Sequence, residues 1–361
     1  MKYFPLSVFL LSLTTFPALA APTLTSIDLN NLTSEIEISG DNFGNPPTVV
    51  YFDNYEAGDQ FEKLMPVGNI SWLPKKIIAT DIMGNDAFRA RDPTTPAGKG
   101  GMQQLIVKFQ NKYTEAFISF SVKTPAGSTF PGATLPKTFS DMSSWKFSWL
   151  MLGENGFQST SDFDICFPTH IGNGSFLLGG NDGTLTWIDK GQTWWDWDGF
   201  NNISGYIRFD PNSPSVNPIK YFWTITNNLV NVTPSIKTQS PTIFKNTNFA
   251  FDRVNIPGWF GNGNNDKFDG LYDNVYVAVG ENALARVIIT DSPIFLKSRF
   301  SVVVMAKSWS NNKITLDPNT LPQSQGKVGI YYVYVADKNG TISSIPLKIV
   351  CKNCPNPPIP L

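Results

Sequence analysis

The chain is short of charge. Only 16% of its 361 residues are charged, against roughly 25% in an average soluble protein, and 28 basic against 29 acidic side chains leave a net charge of −1. No Lys/Arg cluster stands out, so the electrostatic footprint of a nucleic-acid or acidic-membrane binder is absent. Histidine occurs once, at His170, and no G-x-S-x-G elbow is present, which removes support for Ser-His-Asp hydrolysis. The alternating E-x-D-x-E type of motif found on one strand of many jelly-roll glucanases is missing too, so a pair of catalytic carboxylates is not in evidence. No stretch keeps helical spacing for long, and past the first segment no apolar run reaches the ~20 residues a spanning helix needs.

Cysteine is nearly absent. Cys351 and Cys354 stand in "CKNC" near the end, and Cys166 stands alone. The pair can close a small disulfide loop or reach elsewhere, leaving one thiol over. A thioredoxin-like redox site needs a βαβ context, and the flanking "IPLKIVCKNCPNPP" supplies a strand and a proline tail instead.

What is present begins with a leader. "MKYFPLSVFLLSLTTFPALAAP" has Lys2 as its charged start, a short apolar stretch, and Ala18 and Ala20 in an A-x-A cleavage pattern. The expectation is a signal peptide over residues 1–20 and a secreted or periplasmic mature chain from Ala21. No cysteine follows the cleavage point to anchor a lipid.

The rest alternates with period two. "EIEIS", "AFISFSV", "SGYIRF", "DNVYVAV", "FSVVVMA" and "IYYVYVA" are bounded by Gly, Pro, Asn and Asp, and read as an all-β chain of short strands. Residues 22–50, with Gly40, Phe43 and Gly44 in a "G-x-x-F-G" turn, resemble the opening of an IPT/TIG immunoglobulin-like domain. The continuation such domains need comes only in the far segments "SWSNNKITLDP" and "GIYYVYVADKNGTIS". Residues 284–350 are therefore expected to complete an Ig-like domain begun at 22–50, with a tail at 351–361. The region between, 51–283, opens on "YFDNYE" and closes on "GLYDNVYVAVG". This frame resembles the paired terminal strands of concanavalin-A-like jelly rolls, as in laminin-G-type lectin domains, glucanases and some polysaccharide lyases. The resemblance implies a lectin-like β-jelly-roll sandwich carried on a smaller Ig-like β-sandwich.

Three sets of residues invite a functional reading. In "TWWDWD", an extended backbone would put Trp195 and Trp197 on one face and Trp194 and Asp196 on the other. With Asp198 and Trp259 these supply indole plates and acceptors suited to a sugar's C–H face and hydroxyl rim. Tryptophan of a sandwich core is the alternative. A lyase would need a base and a group that neutralises a uronate carboxylate, for which His170, Tyr206 and Arg208 are the candidates. Asp53, Glu56 and Asp273, near the oxygen-rich "GNGNNDKFDG" with Asn262, Asn264, Asn265, Asp266 and Asp269, form a candidate structural Ca²⁺ site, with a self-satisfied turn as the alternative. The function expected is a secreted carbohydrate-binding or adhesion protein without catalysis, acting on extracellular or cell-surface glycans. An extracellular polysaccharide lyase, or less readily a hydrolase, is the second reading, and a structural surface module binding a cell-surface protein the third.

Overall fold

The computed structural model describes residues 20–30, 35–56, 69–73, 75–80, 86–96, 101–124, 138, 145–151, 164–172, 175–180, 183–188, 194–209, 219–232, 237–239, 250–258, 269–316, 320–321 and 329–351. Among them the regular structure is strand apart from short 3-10 turns, of which Phe295–Lys297 is described in full. In chain order the first strands are β1 (Thr23–Asn30), β2 (Glu35–Asp41), β3 (Thr48–Asp53), β4 (Asn69–Leu73), β5 (Ile78–Thr80) and β6 (Asp86–Arg89). Next come β7 (Gln104–Tyr113), β8 (Glu115–Lys123), β9 (Trp149–Met151), β10 (Asp164–Gly172), β11 (Ser175–Gly180) and β12 (Gly183–Ile188). They are followed by β13 (Asn201–Arg208), β14 (Ile219–Thr226), β15 (Asn231–Val232), β16 (Lys237–Gln239), β17 (Phe251–Ile256) and β18 (Leu271–Val279). The last are β19 (Arg286–Thr290), β20 (Ser301–Val304), β21 (Ala306–Trp309), β22 (Lys313–Leu316), β23 (Gly329–Ala336) and β24 (Leu347–Cys351).

The fold is all-β: a larger and a smaller sandwich of antiparallel sheets. In the larger unit a seven-stranded sheet ordered β12-β11-β10-β9-β17-β7-β4 faces a nine-stranded one. The latter runs β15-β14-β13-β8-β18-β6-β5, with β16 on β14 and β3 on β18. Alternation decides which side chains lie between them. Leu105, Val107 and Phe109 of β7 meet Ile118, Phe120 and Val122 of β8, Ile203 and Ile207 of β13, and Trp223 and Ile225 of β14 in one core. The strands that frame this unit are hydrogen-bonded neighbours, with Val275 opposite Asp53 and Val277 opposite Tyr51.

In the smaller sandwich, sheet β1-β2-β22-β21 packs on sheet β20-β19-β23-β24. β2 alternates Ile36 and Ile38 inward with Glu35 and Glu37 at the surface, and lies against β22 with Ile38 opposite Ile314. The turn after β2 is locked to the turn before β22. Phe43 is buried edge-on against Trp309 at 6.5 Å, whose Nε1 donates to the Gly44 carbonyl at 3.1 Å, while the Gly44 N–H donates to Asn311 Oδ1 at 3.0 Å. Residues about 270 positions apart in sequence thus form one corner of a core.

The two glycines of that turn are needed for different reasons. A Cβ at Gly40 would overlap the Thr23 backbone oxygen, whereas the space beside Gly44 is open and only its φ of +70° disfavours a side chain. Gly44→Ala should therefore cost about 1–2 kcal/mol, the strain of a left-handed L-residue. Gly40→Ala should lower the unfolding midpoint further, because backbone has to move. Equal losses for the two variants in thermal unfolding would contradict this account of the turn.

Candidate functional site

The outer face of the nine-stranded sheet, turned away from the core, repeats one pattern on three strands. Register places Glu115, Arg208 and Lys220 in one cross-strand row, then Phe117, Tyr206 and Phe222, then Ser119, Ser204 and Thr224, then Ser121, Asn202 and Thr226. The polar rows are knitted to one another. Ser119 Oγ and Ser204 Oγ lie 2.8 Å apart, Ser121 Oγ donates to Asn202 Oδ1 at 2.6 Å, and Asn202 Nδ2 donates to the Thr226 carbonyl at 3.0 Å.

The aromatic row carries the smaller sandwich. Phe52, Phe117, Tyr206, Phe222, Tyr276 and Ala278 pack with Ala283, Leu284 and Val303 in an apolar cluster between the two units. Arg286 adds a cation 4.5 Å from the Phe117 ring centroid and donates to the Leu284 carbonyl at 2.6 Å; burial draws its pKa down to about 10.

Beside this contact, where the charged row emerges, lies a cleft of about 650 Å³. The large sandwich contributes Lys112, Glu115, Tyr206, Arg208 and Lys220; Glu281 and Leu284 of the connecting turn and Lys338 and Asn339 of the small sandwich close it. Asn339 also lines a smaller cavity of about 140 Å³ over the hydroxyl rows, with Ser204, Thr224 and Thr226. The turn at residues 337–340 is thereby set between two hollows. Asp337 Oδ1 fixes it by accepting the N–H groups of Asn339 and Thr341, each at 2.8 Å.

Electrostatics in the cleft centre on Glu115. Its carboxylate is buried and accepts the Tyr206 hydroxyl at 2.8 Å, with Arg208 Nε 3.7 Å from the other oxygen. Burial raises its pKa, and the Tyr206 hydrogen bond and the Arg208 charge only partly offset this. The Tyr206 phenol is also pushed up, first by burial and then by the Glu115 charge. A phenol whose proton is held by a carboxylate is a hydrogen-bond donor, not a general base near neutral pH.

Of the lyase candidates, Tyr206 and Arg208 are brought together and His170 is not. His170 belongs to β10 in the seven-stranded sheet, whereas Tyr206 leaves the opposite face of the nine-stranded sheet. The tryptophan segment departs from the extended form. Trp194 lies in a 3-10 turn rather than a strand, and Trp195, 1% exposed, stacks on Phe147 at 5.3 Å inside the core. Trp194 leans on Trp223 and Trp197 packs half-buried against the same core. The acids explain the turn. Asp196 Oδ1 accepts the N–H groups of Asp198 and Gly199 at 3.0 and 2.9 Å, its Oδ2 accepts Asn228 Nδ2 at 2.8 Å, and its own N–H donates to Asn201 Oδ1 at 3.0 Å. Asp198 is exposed at the surface.

Each of the three carboxylates expected to share calcium has a partner within the protein. Asp53 Oδ1 accepts the Tyr55 N–H at 2.7 Å and its Oδ2 lies 3.5 Å from Lys76 Nζ, so a cation already neutralises it. Glu56 accepts the Asp86 N–H at 2.8 Å, and Asp273 caps Asn274. Asp269 pairs with Arg89 at 2.7 Å. Among the described residues no group of three or more potential metal ligands converges. Trp259, Asn262, Asn264, Asn265, Asp266, Cys354 and the leader up to Leu19 lie outside the described residues; Cys351 ends β24 and Cys166 lies on β10.

No family model matches the chain, and no curated protein matches it significantly. Among solved structures the chain has partial likenesses. The alginate lyase vAL-1 from Chlorella virus aligns at 9% identity over 64% of this chain and all of that one, with a TM-score of 0.41. The PL-14 alginate lyase from Aplysia kurodai aligns at 9% identity over the same shares, with a TM-score of 0.39. The Ca²⁺-bound exoplasmic/lumenal domain of VIP36 aligns at 9% identity over 64% of this chain and 89% of that one, with a TM-score of 0.31.

The state of Glu115 can be read from pH. Its folded pKa lies above the ordinary value, so the folded protein retains the proton longer than the unfolded chain, and stability falls as pH rises from the ordinary carboxylate pKa through the raised one. Glu115→Gln removes that loss. Between about pH 4 and pH 7 the unfolding midpoint of the variant should rise relative to that of the parent protein. A constant difference across that range would mean that Glu115 titrates normally.

Proposed function

We propose that the protein is a secreted, non-catalytic carbohydrate-binding protein and that its ligand occupies the cleft between the two sandwiches. The observation that carries this reading is the cleft itself. At about 650 Å³ it falls within the range ligand sites occupy, about 300–1,000 Å³, and donors and acceptors from both sandwiches converge on it. A saccharide offers a rim of hydroxyls that act as both donors and acceptors. Asn339, Thr114, Glu115 and the lysine ammonium groups answer to it, and the rings of Tyr113 and Tyr206 supply apolar edges for its C–H faces. Binding rather than turnover is proposed because Tyr206, the candidate base that reaches the cleft, keeps its proton and donates it in a hydrogen bond to Glu115. Export is proposed from the leader-like first twenty residues.

This reading moves the binding surface away from "TWWDWD". Asn339 is exposed on its turn, so Asn339→Trp can fill the cleft without disturbing a core. Against a broad glycan array, Asn339→Trp should lose the signal of the parent protein by about tenfold or more, while Trp197→Ala keeps it. The reverse pattern would return the site to the tryptophan segment. A blank array for the parent protein would remove the carbohydrate reading and favour a protein partner.

A further inference from the structure

We propose that the cleft selects glycans carrying carboxylates, as uronic acids do, over neutral ones; the inference rests on the carbohydrate reading above. The whole chain is close to neutral, with a net charge of −1, yet the cleft gathers four cations, Lys112, Arg208, Lys220 and Lys338, against two carboxylates, Glu115 and Glu281. The carboxylates are already committed. Glu281 pairs with Lys338 at 3.1 Å, and Glu115 is buried beneath Tyr206 and Arg208.

The cleft is left with an excess of two positive charges. Among the described residues Lys112 and Lys220 make no ion pair, and Arg208, its side chain 53% exposed, meets Glu115 only at 3.7 Å through Nε. Register sharpens the point. Arg208 and Lys220 lie directly opposite each other on β13 and β14. Like charges in that position repel and destabilise the pair of strands, by the same few tenths of a kcal/mol to about 1 kcal/mol that opposite charges would contribute. An anion placed between them relieves the repulsion and gains two charge-assisted hydrogen bonds. A carboxylate suits the planar fork of an arginine, which can hold both oxygens at once.

The rest of the cleft explains why the anion belongs to a sugar. Asn339, Thr114 and the Tyr206 hydroxyl surround the cations with uncharged hydrogen-bonding groups, and the Lys338–Glu281 pair closes one side. A bare polyanion would leave these groups unanswered, whereas a uronate brings one carboxylate and several hydroxyls on one ring. Tyr206 holds Glu115 at the base of the cleft.

The test is calorimetric titration of the full chain with an oligomannuronate, the neutral oligomannose of matched length, and a sulfated oligosaccharide. The uronate should bind at least about tenfold more tightly than its neutral counterpart, and its affinity should fall as salt rises from about 50 to 300 mM. Lys220→Gln, at an exposed position, should erase most of that preference, weakening uronate binding far more than neutral-sugar binding. Arg208→Gln should do the same, with thermal unfolding of both variants confirming that they fold. Equal binding of neutral and acidic sugars overturns the inference while leaving the carbohydrate reading intact. Preference for the sulfated sugar overturns the assignment to carboxylates. Binding of none of the three overturns the carbohydrate reading itself.

Discussion

The contact of the small sandwich with the aromatic row of Phe117, Tyr206 and Phe222 is the interaction on which the rest depends. A nine-stranded sheet with one face in a core would ordinarily turn a polar face to water. Here a band across that face is apolar, and it is covered by Ala283, Leu284 and Val303, with the Arg286 cation over the Phe117 ring. The cleft is the remainder of that docking. Where the aromatic row ends and the charged row begins, the two surfaces part, and the groups left between them are Glu115, Arg208 and Lys220 on one side and Lys338 and Asn339 on the other.

Connectivity makes the contact reproducible. The chain completes β1 and β2, enters the large sandwich at β3, and leaves it at β18, which pairs with β3. Entry and exit are therefore adjacent, and only the short turn around Ala283 and Leu284 separates β18 from β19 of the small sandwich. That turn is itself part of the apolar cluster. The geometry of the cleft is thus fixed by backbone pairing at one end and side-chain packing in the middle, with the Asp337-capped turn at its far wall.

Much of the fold was legible in the alternation, because a strand with one face in a core repeats with period two. The "G-x-x-F-G" turn and "SWSNN" do meet, through Phe43, Gly44, Trp309 and Asn311. The site was less legible. "TWWDWD" looked like an exposed strand because period-two reasoning assumes an extended backbone, and the Asp196 and Asn201 side chains instead capture backbone amides and bend it. Nor does the sequence show that Lys76, from another part of the chain, reaches Asp53, one of the three carboxylates of the candidate calcium site. The cleft did leave a trace. Read at every second residue, β8 gives Glu115, Phe117, Ser119, Ser121; β14 gives Lys220, Phe222, Thr224, Thr226; and β13, read backwards, gives Arg208, Tyr206, Ser204, Asn202. A shared order of charge, aromatic and hydroxyl on three strands marks three neighbours with a common outer face. That signal lies between strands rather than within one, so a search for local motifs passes over it.

The most direct test of a ligand held between the two sandwiches is hydrogen exchange of the full chain with and without a saturating saccharide. Protection gained at residues 112–115 and at the 337–341 turn, on opposite walls of the cleft, is the predicted result. Protection confined to residues 194–198, with both walls unchanged, would contradict it.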